Sequence, residues 1–200
     1  MLETKGHGPK IHLVRHGQCE WQLDGGAGLD SKLTALGHRQ AERLSVWLAN
    51  HGATDGITAA ALCSSPLRRA AETAHYIQMA LTLQPASFES LREADFHVAD
   101  DLPVLDDGLV PPIYQPSERY AAFKDQIRCA LTDITSLADE CHAPVLVVTH
   151  GGLIKTLVRV IAGSDAICMR LCNTGLTSLE WRRGRWHLIQ VNLWSHLAPE

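Results

Sequence analysis

Lys10-Ile11-His12-Leu13-Val14-Arg15-His16-Gly17 and Pro144-Val145-Leu146-Val147-Val148-Thr149-His150-Gly151-Gly152 share one layout. In each, a short apolar, β-branched run stops at His-Gly, and sequence compatible with a helix comes after. Lys10–Val14 and Pro144–Val148 therefore read as buried strands of an α/β protein. In open α/β sheets, ligands bind beyond the carboxyl ends of the strands. His16 and His150 are thus predicted on one functional edge, with Gly17 and Gly151 permitting close backbone approach.

Moving outward, Thr34 is a predicted N-cap for a helix carrying Leu36, Gln40, Leu44, Trp47 and Leu48 near one face. Ile57–Cys63 is a second apolar run. Ser65 is the predicted cap of the next helix, with Pro66 in its first turn and Leu67, Ala70, Ala71, Ala74 and Ile77 as its buried stripe. Leu83–Ser117 loses periodicity and holds Pro85, Pro103, Pro111, Pro112 and Pro116, so it reads as a loop-rich excursion, a lid or substrate wall. Helix returns over Ser117–Ala138 and again over Leu153–Ile161. Met169–Cys172, Leu176–Trp181 and Trp186–Val191 read as strands, the last two a hairpin turning at Arg183-Gly184. The fold class is α/β: a three-layer α/β/α sandwich around a mostly parallel, mixed sheet, in one domain spanning residues 1–200.

With 46% hydrophobic and 20% charged residues, the composition is that of a globular protein. A net charge of −4 argues against general affinity for nucleic acid or anionic membrane, while leaving room for a local cationic pocket. Met1–Lys10 lacks the apolar stretch of a secretory leader, and no run is long enough to span a bilayer, so the expected location is cytoplasmic. Cys19, Cys63, Cys129, Cys141, Cys168 and Cys172 form no CxxC pair and are expected as reduced, mostly buried thiols. No HExxH or CxxC…HxxxH spacing points to a metal.

Around the two histidines stand fixed cations. Arg15 offers a permanent fork of donors for phosphate oxygens. Arg68, in the first turn of a helix starting near Pro66, opposes the helix dipole unless an anion binds there. The alternative for Arg68 is a solvent-facing pair with Glu72, and Arg69 could do either job. Arg68 is the choice made from sequence.

These segments resemble the histidine phosphatase superfamily, the phosphoglycerate-mutase-like fold. Arg15-His16-Gly17-Gln18 looks like its first motif, and Leu33-Thr34-Ala35-Leu36-Gly37 with Gln40-Ala41 like the segment that follows. Ser64-Ser65-Pro66-Leu67-Arg68-Arg69-Ala70 with Glu72-Thr73-Ala74 is similar to the second arginine motif, and Thr149-His150-Gly151-Gly152 to the second histidine motif. The resemblance covers most of the chain. It implies a metal- and cofactor-independent phosphatase acting on a small phosphomonoester, with His16 as nucleophile forming a phosphohistidine. Arg15, Arg68 and His150 would hold the phosphoryl oxygens, helped by Gly17, Gln22 and Gly151. Leu91-Arg92-Glu93-Ala94-Asp95-Phe96 resembles the stretch carrying the general acid, which makes Glu93 the expected acid and Asp95 the fallback, ahead of Asp100 and Asp101.

Cys19, where the family commonly has Ser or Thr, Gln22, where it often has Asn, and His97, where Gly is frequent, depart from the pattern. They put the substrate in doubt more than the chemistry. A mutase is less expected, because the chain is short and no match to the mutases' extended substrate segment is seen. A non-catalytic phospho-ligand-binding protein on the same fold is the alternative of a different class. Asp100, Asp101, Asp106 and Asp107 would repel a heavily phosphorylated substrate if they faced the pocket. A homodimer is possible through Trp181 and Trp186, although the core is the expected place for both rings.

Overall fold

A computed structural model describes residues 8–24, 28, 30–105 and 113–197 of the protein. In chain order the elements are β1 (Lys10–Arg15), a one-turn helix α1 (Trp21–Asp24), α2 (Ala35–His51), β2 (Ala61–Ser64), α3 (Arg68–Leu81), β3 (Pro85–Ser87), α4 (Glu118–Cys141), β4 (Val145–Thr149), α5 (Gly151–Ala162), β5 (Leu176–Arg182) and β6 (Arg185–Leu193). The six strands lie in the order β3-β2-β4-β1-β5-β6. β3, β2, β4 and β1 run parallel, while β5 and β6 add an antiparallel edge. This is the mostly parallel, mixed sheet expected from the sequence.

Two-residue periodicity sends alternate side chains of each strand into opposite layers. Ile11, Leu13, Val145 and Val147 pack with Tyr120, Phe123, Ile127, Leu153 and Leu157 of α4 and α5. Val14, Leu146 and Val148 pack with Leu44, Leu48, Ala70, Ala74 and Ile77 of α2 and α3 on the other face. The central strands β1 and β4 are buried on both sides, which is why their sequences read as continuous apolar runs.

Local signals set the helix ends. Thr34 caps α2 by accepting from Gly37 N at 3.0 Å, and Ser117 caps α4 by accepting from Tyr120 N at 3.2 Å. Several expectations are corrected. Met169–Cys172 is not a strand, because the slot beside β1 is filled by β5; this segment is held by side chains, Arg15 on the Leu171 carbonyl and Asn192 on Cys172 N. The excursion contains β3, whose Pro85 is tolerated at the first position of an edge strand. Helix α3 begins at Arg68 rather than Pro66, with Leu67 at the cap and the Ser65 hydroxyl accepting from Leu67 N in the turn before it. Cys129, Cys168 and Cys172 are exposed, against the expectation of mostly buried thiols. Trp186 packs on the core, while Trp181 is 37% exposed.

Candidate active site

β1 and β4 are neighbours in the sheet, with Arg15 level with Thr149, so their His-Gly turns emerge side by side. The His16 and His150 ring centroids are 5.2 Å apart. His16 Nδ1 lies 2.6 Å from the Gly17 carbonyl, and Arg69 Nε donates to His16 Nε2 at 3.2 Å. A guanidinium N–H can only donate, so Nε2 must hold a lone pair and Nδ1 the proton that the Gly17 carbonyl accepts. Burial, with Arg69 and Arg15 nearby, lowers the His16 pKa to about 3, leaving a neutral ring whose Nε2 lone pair accepts from Arg69.

His150 is fully buried, and its Nε2 lies 2.8 Å from the Ser65 hydroxyl. Its Nδ1 has no partner among the described residues, nor has the buried Nε of Arg15. Arg15 is fixed at its other end, where Nη1 donates to the Leu171 carbonyl at 2.6 Å. An unpaired buried N–H costs about 1–3 kcal/mol, so Arg15 Nε is open to an acceptor, as is His150 Nδ1 in the tautomer whose Nε2 accepts from the Ser65 hydroxyl.

The arginine chosen from sequence is corrected. Arg68 is exposed and paired with Glu72 at 2.9 Å, while Arg69, 7% exposed, reaches His16. The cause is the face that α3 buries: Arg69 lies one turn before buried Thr73, beside Ala70 and Ala74, while Arg68 lies one turn before Glu72 on the outer side.

Glu93 stands over the second turn, its Oε2 accepting from Gly152 N at 2.9 Å. Burial raises its pKa, against the opposing pull of that N–H and of Arg69. Asp95 lines the same cavity, but Asp100 and Asp101 do not; Asp101 pairs with Arg119 at 2.7 Å. The expected repulsion from these two is therefore absent, and Asp106 and Asp107 lie outside the described residues. Gln22 lines the cavity as well. Its Oε1 accepts from Cys19 N and from Asn173 Nδ2, which also reaches the His16 carbonyl.

Gly17 N donates to the Thr73 hydroxyl at 3.1 Å. A Cβ on Gly17 would come within 2.5 Å of the Gly37 carbonyl, so this glycine lets α2 dock against the turn. Ser65, Thr73 and Asn173 carry site contacts that sequence reasoning missed. Ser65 and Thr73 sit inside the quoted motif, but Asn173 lies in an aperiodic stretch that gives no signal. The cavity above the turns has a volume of about 360 Å³. Trp21, Phe96, His97, Lys155 and Arg159 wall its outer part, with the Trp21 and His97 rings 5.7 Å apart.

Residues 11–193 match the family described as histidine phosphatase superfamily (branch 1). The chain belongs to this superfamily. A histidine phosphatase relative, an uncharacterized phosphatase PhoE of Bacillus subtilis, is 28% identical over 194 residues, spanning 94% of this chain and 96% of that protein. Among solved structures, a mutant phosphoserine phosphatase of Entamoeba histolytica, crystallised with phosphoserine, is similar with a TM-score of 0.70 and 25% identity over 95% of this chain and all of that one. A phosphoglycerate mutase of Bacillus anthracis has a TM-score of 0.74 at 21% identity, covering 96% of each chain, and shows the fold. The superfamily relatives are thus phosphatases and mutases. No helix among the described residues is long and apolar enough to cross a membrane.

Proposed function

We propose that the protein is a metal- and cofactor-independent phosphatase of small phosphomonoesters, working through a phosphohistidine on His16. The observation that carries this reading is the neutral His16 Nε2 beside two unsatisfied buried donors, Arg15 Nε and His150 Nδ1. With the Ser65 hydroxyl donating to His150 Nε2, the ring proton sits on Nδ1 and points a donor at a phosphoryl oxygen. The arriving phosphate draws Arg69 Nε off the nucleophile, freeing the lone pair for in-line attack on phosphorus. The P–Nε2 bond forms as the P–O bond to the leaving alcohol breaks. Arg15, Arg69 and His150 hold the charge on the transferring oxygens, with the Gly151 backbone and the side chain of Gln22 at the rim; the Gly17 N–H expected to help is engaged by the Thr73 hydroxyl.

Glu93 is the general acid. Its raised pKa keeps a proton available for the leaving alkoxide, and the resulting carboxylate then takes a proton from the water that cleaves the P–N bond. Asp95, exposed and on the same wall, is the fallback. We place the protein in the cytoplasm, as one domain over residues 1–200, with no nucleic-acid or membrane partner.

The test is steady-state hydrolysis of p-nitrophenyl phosphate in EDTA, with phosphohistidine trapped from a phosphorus-labelled substrate by an alkaline denaturing quench, because the P–N bond is acid-labile. Turnover that survives the chelator and a label confined to His16, both lost in His16→Ala, are expected. Activity persisting in His16→Ala would overturn the nucleophile assignment.

A further inference from the structure

His196 is buried in a short 3-10 turn (Ser195–Leu197) just after β6, and the phosphoryl-transfer scheme does not use it. Its Nε2 lies 2.9 Å from the Thr174 hydroxyl, while Nδ1 has no partner among the described residues. The one hydrogen of that hydroxyl goes to the Asn173 carbonyl at 2.7 Å, so His196 Nε2 carries the proton and donates. The imidazole also lies 6.0 Å from the Trp47 ring. Packing alone would be served there by an apolar side chain; the N–H is what an imidazole adds.

Thr174 is fully buried and has φ 58°, in the left-handed region. A β-branched residue is an outlier there and persists only where its surroundings hold it. The turn it shapes braces His16 from behind. Thr174 N donates to the Arg15 carbonyl at 2.9 Å and to the His16 carbonyl at 3.3 Å. Asn173 Nδ2 donates to the same His16 carbonyl at 3.0 Å. The Asn173 amide also pairs in both directions with the side chain of Gln22, which lines the cavity. Two consecutive residues thus fix the main chain of His16, and one of them reaches the cavity wall.

We propose that His196 is a positioning residue: by donating to Thr174 it holds the left-handed turn, and through that turn the His16 main chain and Gln22. The inference rests on the phosphatase reading and deepens it, extending the machinery to a side chain that touches no substrate. Without the donor, the buried hydroxyl loses a partner and Thr174 relaxes toward extended backbone, carrying Asn173 Nδ2 away from the His16 carbonyl.

The test removes the donor and keeps the packing. On p-nitrophenyl phosphate, His196→Leu is expected to lower kcat by about tenfold or more with KM within about twofold, the effect of a slightly misplaced reacting group. His196→Gln, which keeps an N–H at similar reach, is expected to regain most of it. In a Thr174→Gly background, whose backbone adopts positive φ freely, His196→Leu should cost less than about twofold more. Thr174→Val, of the same shape without the hydroxyl, reads the same bond from its other end and should also lower kcat. An unchanged kcat in His196→Leu or Thr174→Val, no recovery in His196→Gln, or a full loss in the Thr174→Gly background would overturn the proposal. Imidazole 15N resonances of His16, assigned by their loss in His16→Ala, read the site without turnover; they should move in His196→Leu and return in His196→Gln. Absence of hydrolysis by the wild-type protein would count against the phosphatase reading alone, and unmoved His16 resonances against the role of His196.

Discussion

The two His-Gly turns start from the same design and end with different duties. At the first, His16 borders the cavity, its tautomer fixed by the Gly17 carbonyl, and the following glycine is packed against the backbone of α2. At the second, His150 is buried with its Nε2 against Ser65, and the following glycines lie under Arg15 and Glu93. A Cβ on Gly151 would sit 3.2 Å from Arg15 Nε, and one on Gly152 would sit 2.5 Å from Glu93 Oε1. One turn presents an imidazole lone pair from a rigid base. The other seats the groups around it. Sequence symmetry therefore locates a site without assigning the parts.

The largest expected effect separates the two arginines of α3. Arg69→Ala should lower kcat/KM on an aryl phosphate by about a hundredfold or more, the usual cost of a lost transition-state donor. Arg68→Ala should stay within about twofold, since an exposed i,i+4 pair contributes a few tenths of a kcal/mol. The reverse ranking would restore the sequence-based choice.

Next come the glycines. Gly17→Ala should destabilise the fold by about 1–3 kcal/mol, read by urea unfolding, because the clash is with helix backbone that cannot swing aside. Gly152→Ala meets a movable carboxylate instead. It should fold normally but lose about tenfold in kcat on alkyl phosphates, whose poor leaving group needs the acid, and less on aryl phosphates. Equal losses on both ester types would separate Gly152 from Glu93.

The pH dependence of stability tests the buried imidazoles of both turns together. Burial lowers the pKa of His12 and His196 to about 4, that of His16 to about 3, and that of His150 well below its usual value. Below about pH 6.5 the unfolded chain takes up protons that the folded one refuses. Stability should therefore fall as pH drops from about 6.5 toward 4, by about 1.4 kcal/mol per pH unit for each histidine. Glu93, raised rather than lowered, opposes this by binding its proton more tightly in the folded state. A melting temperature that stays level between about pH 6.5 and 5 would contradict the neutral assignment of both turns.

Strands β1 and β4 were legible because burial on both faces leaves an uninterrupted apolar run, and α2 and α4 because Thr34 and Ser117 cap them. Arg68 and Arg69 both fall in the first turn, so the helix-dipole argument fits either; the choice needed the packed face of α3, which carries Arg69 with Thr73 and leaves Arg68 with Glu72 in solvent. Asn173 and the irregular course of 169–172 were out of reach for another reason. Their partners, Gln22, His16, Arg15 and Asn192, are set by tertiary contacts rather than by any local period.

The Thr149 hydroxyl donates to the Leu91 carbonyl at 2.8 Å, inside the protein, two residues before Glu93. Further along, Tyr114 and Tyr120 both donate to Asp165, joining the far end of the excursion to the segment after α5. The wall that carries Glu93 is thus stapled to the sheet that carries His16. Little chain entropy remains to be surrendered when a ligand arrives, so affinity is expressed largely undiminished. Side chains along the outer rim can then be exchanged to suit a new alcohol while the distance from Glu93 to His16 stays as it was.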